Sequence, residues 1–226
     1  MKKIVLFGDS LLKGVLYDEA SQRYISIGKK KCEEIGTQNN VEIVSMAKFG
    51  MTAKRAYETG LHNRIPDCDL VIIGLGGNDC NFNWKEISDN PEDEHYNNST
   101  SSEYKDAMIG ILTDLKARNI NTAILSLPPI SSEKYFNWFS KNLNKINLKN
   151  WITDINIIYQ MQEYYNTINK NVAKDLGVPI LDVRSICLIN RDYSQMLECD
   201  GIHLKEAGYD FLGASIVACV KSNSLI

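Results

Sequence analysis

Residues 1–14 read Met1-Lys2-Lys3-Ile4-Val5-Leu6-Phe7-Gly8-Asp9-Ser10-Leu11-Leu12-Lys13-Gly14. Two lysines before an apolar run resemble the start of an export signal. The run stops at Gly8-Asp9, however, well short of the roughly 7–15 apolar residues that a signal core needs. The stretch therefore reads as a buried strand ending in a turn, which sets Asp9 and Ser10 at the strand's carboxyl end. Four later runs have the same character: Val41–Met46, Leu70–Leu75, Thr122–Leu127 and Val178–Val183. Several are apolar almost throughout, as strands covered on both faces are.

Helical spacing fills the intervals. Met108, Ile111, Leu112 and Leu115 share one face of Ser102–Arg118. Trp151, Ile155, Ile158, Tyr165, Ile168, Val172 and Leu176 recur at threes and fours with one longer step, before a stop at Gly177 and Pro179. Phe211, Leu212, Ile216, Val217 and Val220 mark a last helix over Lys205–Lys221. Strands alternating with helices predict an α/β fold, a three-layer α/β/α sandwich on a five-stranded parallel sheet with right-handed crossovers. Reactive groups in such sheets collect at the carboxyl ends of the strands. The 226 residues suit a single domain spanning 1–226. Two segments read as insertions, near 80–101 with the acidic run Asp89–Glu94, and near 128–149 with Tyr135, Phe136, Trp138 and Phe139. Both leave carboxyl ends of strands and are expected to overhang the site.

Composition narrows the function. Hydrophobic residues at 44% and charged residues at 23% exclude a disordered or fibrous chain. A net charge of −3 speaks against a nucleic-acid or anionic-membrane surface. No stretch approaches the ~18 apolar residues of a membrane span. The six cysteines are scattered, with no C-x-x-C pair and no histidine at zinc spacing, so no metal is expected. Without an export signal they read as reduced thiols of a cytoplasmic protein.

Polar residues then cluster in the strand-end loops: Gly8-Asp9-Ser10-Leu11, Gly50-Met51-Thr52, Gly76-Gly77-Asn78-Asp79, and Asp200-Gly201-Ile202-His203 before the last helix. Of the three histidines, only His203 has an aspartate three residues earlier, placed to fix its tautomer and stabilise its protonated form. Ser10 needs such a base to become a nucleophile. Gly50 offers a backbone N–H unobstructed by a Cβ, Asn78 a side-chain amide and Ser10 its own N–H, three donors suited to an oxyanion. Each block alone has a plainer reading: an exposed turn, a helix start capped by Ser10, an Asx turn. Together, in order and each at a sheet edge, they point to acyl transfer.

The set resembles the SGNH, or GDSL, hydrolase superfamily of esterases, lipases and acylhydrolases, with matching blocks from residue 8 to residue 203. The resemblance implies a flavodoxin-like fold, Ser10 as nucleophile, His203 as general base and Asp200 as its orienting carboxylate. It implies an oxyanion hole from Ser10, Gly50 and Asn78, and no cofactor or metal. The substrate implied is a small-molecule carboxylic ester of a small acyl group, O-acetyl groups on carbohydrate among them. A thioester or lysophospholipid substrate, or a non-catalytic ligand-binding relative, are the alternatives. Two departures stand out. Ala47-Lys48-Phe49 precedes Gly50 where the family has Asn or a small residue, and Leu204 replaces a proline that often follows the histidine. No G-x-S-x-G elbow, G-x-G-x-x-G loop or P-loop is present.

Overall fold

The computed structural model describes residues 1–225. From the amino end come β1 (Lys2–Gly8), β2 (Val15–Asp18), β3 (Arg23–Ser26), α1 (Gly28–Asn39), β4 (Val41–Ser45) and α2 (Ala53–Glu58). Next are β5 (Leu70–Gly74), α3 (Trp84–Asp89), α4 (Ser101–Ala117), β6 (Thr122–Leu125), α5 (Ser132–Phe139) and α6 (Lys145–Ile152). The chain continues through α7 (Ile157–Leu176), β7 (Ile180–Leu181), α8 (Val183–Ile189), α9 (Tyr193–Met196) and α10 (Glu206–Ser222).

All five expected strands form, and they pair in parallel in the order β4-β1-β5-β6-β7. Ile4 of β1 lies opposite Ile43 on one side and Leu70 on the other. Side chains alternate across a strand, so each run of apolar residues feeds two cores. Val5, Phe7, Val71 and Ile73 pack with Ala56 of α2, Met108 and Ile111 of α4, and Val172 of α7. Ile4, Leu70, Ile72 and Leu125 pack with Val183 and Cys187 of α8 and with Leu212 and Val220 of α10. Helices thus cover both faces, the three-layer arrangement read from the sequence.

Three local differences matter for the site. The strands β2 and β3 form an antiparallel hairpin with Tyr17 opposite Tyr24, where the sequence showed nothing regular. Every residue of β3 is exposed, so no hydrophobic period betrays it. Ser10 caps no helix: the Val15 N–H donates to its carbonyl at 3.1 Å, in a tight turn that leads straight into the hairpin. The stripe from Trp151 to Leu176 is two helices, because Thr153 takes a positive φ of 54° and ends α6. Its apolar period carries across the break because Ile152 and Ile158 bury in the same small core.

That small core joins the two segments expected to overhang the site. Trp84 and Ile87 from one meet Phe136 and Leu148 from the other, and the Trp84 and Phe139 rings stack at 4.4 Å. Most of the aromatic residues there hold the segments together. The acidic run Asp89–Glu94 is largely exposed. Among the described residues all six cysteines are free, and no helix is long and apolar enough to cross a membrane.

Candidate active site

The five-strand order reverses direction between β1 and β5, the switch point where the carboxyl ends of an open parallel sheet leave a crevice. Ser10 enters it from the end of β1. His203 enters from the loop before α10, and its Nε2 lies 2.9 Å from Ser10 Oγ. On the other side of the ring, Nδ1 lies 2.6 Å from Asp200 Oδ2. With Nδ1–H donating to the carboxylate, Nε2 is left to accept the serine hydroxyl proton.

The Asp-x-x-His spacing is a closed turn. Asp200 Oδ1 accepts the backbone N–H groups of both Ile202 and His203 at 2.9 Å, so the same carboxylate fixes the loop and the ring. Burial alone would raise the Asp200 carboxyl, but the His203 hydrogen bond and charge and these two N–H groups hold it down at about 2. It stays ionised throughout the working range. Gly201 lets the loop seat. Its φ is +72°, and a Cβ there would fall 2.7 Å from the Ser131 carbonyl oxygen at the start of α5. The Ser131 N–H in turn donates to the Gly201 carbonyl at 2.9 Å.

The expected donors lie around the same turn. Gly50 has a φ of +67° with open space where a Cβ would point. Among the described residues, neither the Gly50 N–H nor the Ser10 N–H donates a hydrogen bond to another protein atom. Asn78 differs, since its amide donates two long bonds, to the Met51 carbonyl at 3.2 Å and to Asp9 Oδ2 at 3.3 Å. Two buried carboxylates brace this side. Asp79 accepts the Ala53 N–H and the Ser99 hydroxyl, tying the loop after β5 to the start of α2. Asp9 accepts the Leu11 N–H at 3.0 Å, and burial, with the Asp79 charge adding to it, pushes its carboxyl up to about 6.

In front of Ser10 is a cavity of about 200 Å³. Leu12, Leu125, Leu127 and Ile130 supply its apolar wall, and Asn81, Tyr135 and Gln162 its polar one. A larger cavity of about 300 Å³ between α1, α10 and the sheet has mostly aliphatic walls and contains neither Ser10 nor His203; the smaller one adjoins both. Phe49, one of the departures noted above, is 56% exposed and lies nearly parallel to the His203 ring at 6.1 Å. Leu204, the other, is fully buried beside Leu197. The remaining histidines take no part: His62 is buried against Asp114 and the Ala56 carbonyl, and His95 meets the Asn90 carbonyl.

One residue at the site escapes the sequence reading. The Tyr24 hydroxyl donates to Asp200 Oδ2 at 2.8 Å from the exposed strand β3, 176 positions away. No spacing or motif signals that contact; only the hairpin creates it. Among the described residues, no group of three or more His, Cys, Asp or Glu side chains is placed to hold a metal ion.

Residues 6–211 match the GDSL-like lipase/acylhydrolase family. No curated protein sequence matches the chain. Among solved structures, a lipase/acylhydrolase from Enterococcus faecalis aligns over 99% of this chain and 97% of its own, with 20% identity and a TM-score of 0.66. A GDSL-like lipase from Bacteroides thetaiotaomicron aligns over 98% and 89%, with 16% identity and a TM-score of 0.62. A catalytic mutant of an acetylxylan esterase from Geobacillus stearothermophilus aligns over 97% and 94%, with 14% identity and a TM-score of 0.62. At such identities these three share the fold.

Proposed function

Because the chain belongs to the GDSL-like lipase/acylhydrolase family, and is thus a carboxylic ester hydrolase, we propose that Ser10, His203 and Asp200 cleave small acyl esters through an acyl-enzyme. The observation that carries this is the unbroken contact from Ser10 Oγ through His203 to Asp200, at 2.9 and 2.6 Å, on the floor of a cavity. Ser10 Oγ attacks the ester carbonyl carbon while His203 Nε2 takes the hydroxyl proton. Asp200 stabilises the imidazolium that forms. The carbonyl oxygen, now negative, receives the N–H groups of Ser10 and Gly50, which have no other protein partner among the described residues. The Asn78 amide joins them by giving up one of its two long bonds. His203 then protonates the departing alkoxide, and the same imidazole activates the water that releases the acid.

The size of the cavity favours acetyl and other short acyl groups over long chains. On the alcohol side, Phe49 lines the cavity and packs on the Tyr24 ring, with Trp138 beside Tyr24, an aromatic cluster that suits the apolar face of a sugar. Esters of O-acetylated carbohydrate are therefore the substrate class we favour. The test is Ser10→Ala, assayed with p-nitrophenyl acetate and by intact mass after fluorophosphonate treatment. Wild type is expected to gain one adduct. The variant should gain none, lose turnover and melt at nearly the same temperature. A variant that still hydrolyses the ester at the wild-type rate sinks the reading.

A further inference from the structure

We infer that Tyr24 is a positioning residue for the Asp200–His203 pair, its hydroxyl supplying the fourth donor to the Asp200 carboxylate from the hairpin β2–β3. The inference rests on the reading of Ser10, His203 and Asp200 given above. Each carboxylate oxygen takes two donors. Oδ1 holds the Ile202 and His203 N–H groups, and Oδ2 holds His203 Nδ1–H and the Tyr24 hydroxyl at 2.8 Å. Remove the phenol and the oxygen that steers the imidazole loses one of its two restraints.

The phenol is itself aimed. Tyr24 is 36% exposed, although the carboxylate it reaches is 1% exposed. Its ring is held by Tyr17 at 5.3 Å, Phe49 at 5.7 Å and Trp138 at 6.3 Å, and it faces the His203 ring at 5.1 Å. It therefore also closes one side of the imidazole to water. The hairpin springs from the Ser10 turn: Val15 N–H donates to the Ser10 carbonyl, and Ile27 N–H to the Gly14 carbonyl at 2.9 Å. One short segment thus presents the nucleophile and restrains the acid that serves its base. Desolvation and the neighbouring Asp200 charge push the Tyr24 phenol well above its usual range, so it remains a donor at any working pH.

A hydroxyl that only anchored the hairpin would be redundant. The Ser26 hydroxyl already bonds the Lys13 carbonyl at 2.7 Å, and the Tyr17–Tyr24 ring pair spans the strands. The two roles predict different kinetics. A donor on Oδ2 draws charge from the oxygen that holds the imidazolium. Without it that oxygen favours the cation more strongly, and the acid limb of kcat/KM moves to higher pH. The other charged or titratable groups are Asp9 on the Ser10 turn, which interacts with His203, and Glu198 and Cys199 beside Asp200, with Lys205 and Glu19 near Glu198 and Lys141 near Cys199. All are unchanged by Tyr24→Phe.

The experiment compares wild type, Ser10→Ala, Tyr24→Phe, Asp200→Asn and the Tyr24→Phe/Asp200→Asn double variant on p-nitrophenyl acetate from pH 5 to 9. Tyr24→Phe should keep its melting temperature and KM, lower kcat about tenfold and shift the acid limb upward. Added to Asp200→Asn it should cost less than about twofold, because a group acting through Asp200 has nothing left to act on. An inactive Ser10→Ala beside a Tyr24→Phe with unchanged kcat and pH profile overturns the Tyr24 assignment alone. Equal losses from Tyr24→Phe in both backgrounds overturn it as well. Full activity in Ser10→Ala overturns the serine reading and this inference together.

Discussion

Asp9 precedes Ser10 in the chain, and its carboxylate accepts the Leu11 N–H and the Asn78 amide in a buried setting. Its proton comes off near pH 6 in the folded protein, against an ordinary 3.8, chiefly because burial disfavours the charge. Between those values the folded state binds more proton than the unfolded chain, so stability falls as pH rises through that window. The shift corresponds to about 3 kcal/mol lost by pH 7. Asp9→Asn carries no such charge. Urea unfolding at pH 4.5 and 7.5 should show the variant gaining about 2 kcal/mol on wild type across the interval, the unfolded carboxyl being already mostly ionised at the lower pH. A gap that does not change with pH would mean that the carboxylate is solvated or fully bonded. Ser10, Gly50, Asn78, Asp200 and His203 are legible in the sequence because each sits in a short block with fixed internal spacing. Asp9's burial and Tyr24's reach are not, since both depend on chain that folds back from far away.

Among elements, the sheet is the most legible part, and the reason is physical. A strand buried on both faces must be apolar throughout, and Leu70–Gly74 is buried at every residue. The hairpin β2–β3 buries little, so neither its strands nor its contact with Asp200 leaves a periodic trace. The break at Thr153 is hidden for the opposite reason: the helices on either side bury apolar residues in one core, and the period runs on. The loop Cys199–His203 is an element held by docking. Gly201→Ala forces a Cβ against the Ser131 carbonyl at a left-handed φ, and should cost about 1–3 kcal/mol of stability. The displaced Asp200 and His203 should cut kcat by about 10²-fold with substrate binding little changed. Thermal unfolding and steady-state kinetics on the same preparation check both; a normal kcat would show that the loop absorbs the Cβ without moving.

For the molecule as a whole, the two segments after β5 and β6 share a core of their own and bring Asn81, Ile130 and Tyr135 to the cavity in front of Ser10. That enclosure limits what enters. Across a p-nitrophenyl ester series, kcat/KM should peak at acetate or propionate and be at least about tenfold lower at octanoate, since forcing methylenes into a filled site costs about 1–3 kcal/mol. Equal rates along the series would mean that the acyl chain leaves by an open side. The aromatic residues of those segments illustrate how far composition can be read: Phe82, Trp84, Phe136 and Phe139 serve packing, while Trp138 turns to the hairpin at 4.7 Å from Tyr17. Only the assembled fold separates the two groups. The distances along the chain have a further consequence. Ser10 is five positions from the hairpin that flanks it, but 193 from the imidazole beside it. On a ribosome, where synthesis runs from the amino end, the serine turn and the hairpin beside it emerge 193 positions ahead of His203. On the reading proposed here, a growing chain carries an unarmed serine. Its capacity to cleave the esters around it arises only when the loop before α10 docks beside the Ser10 turn.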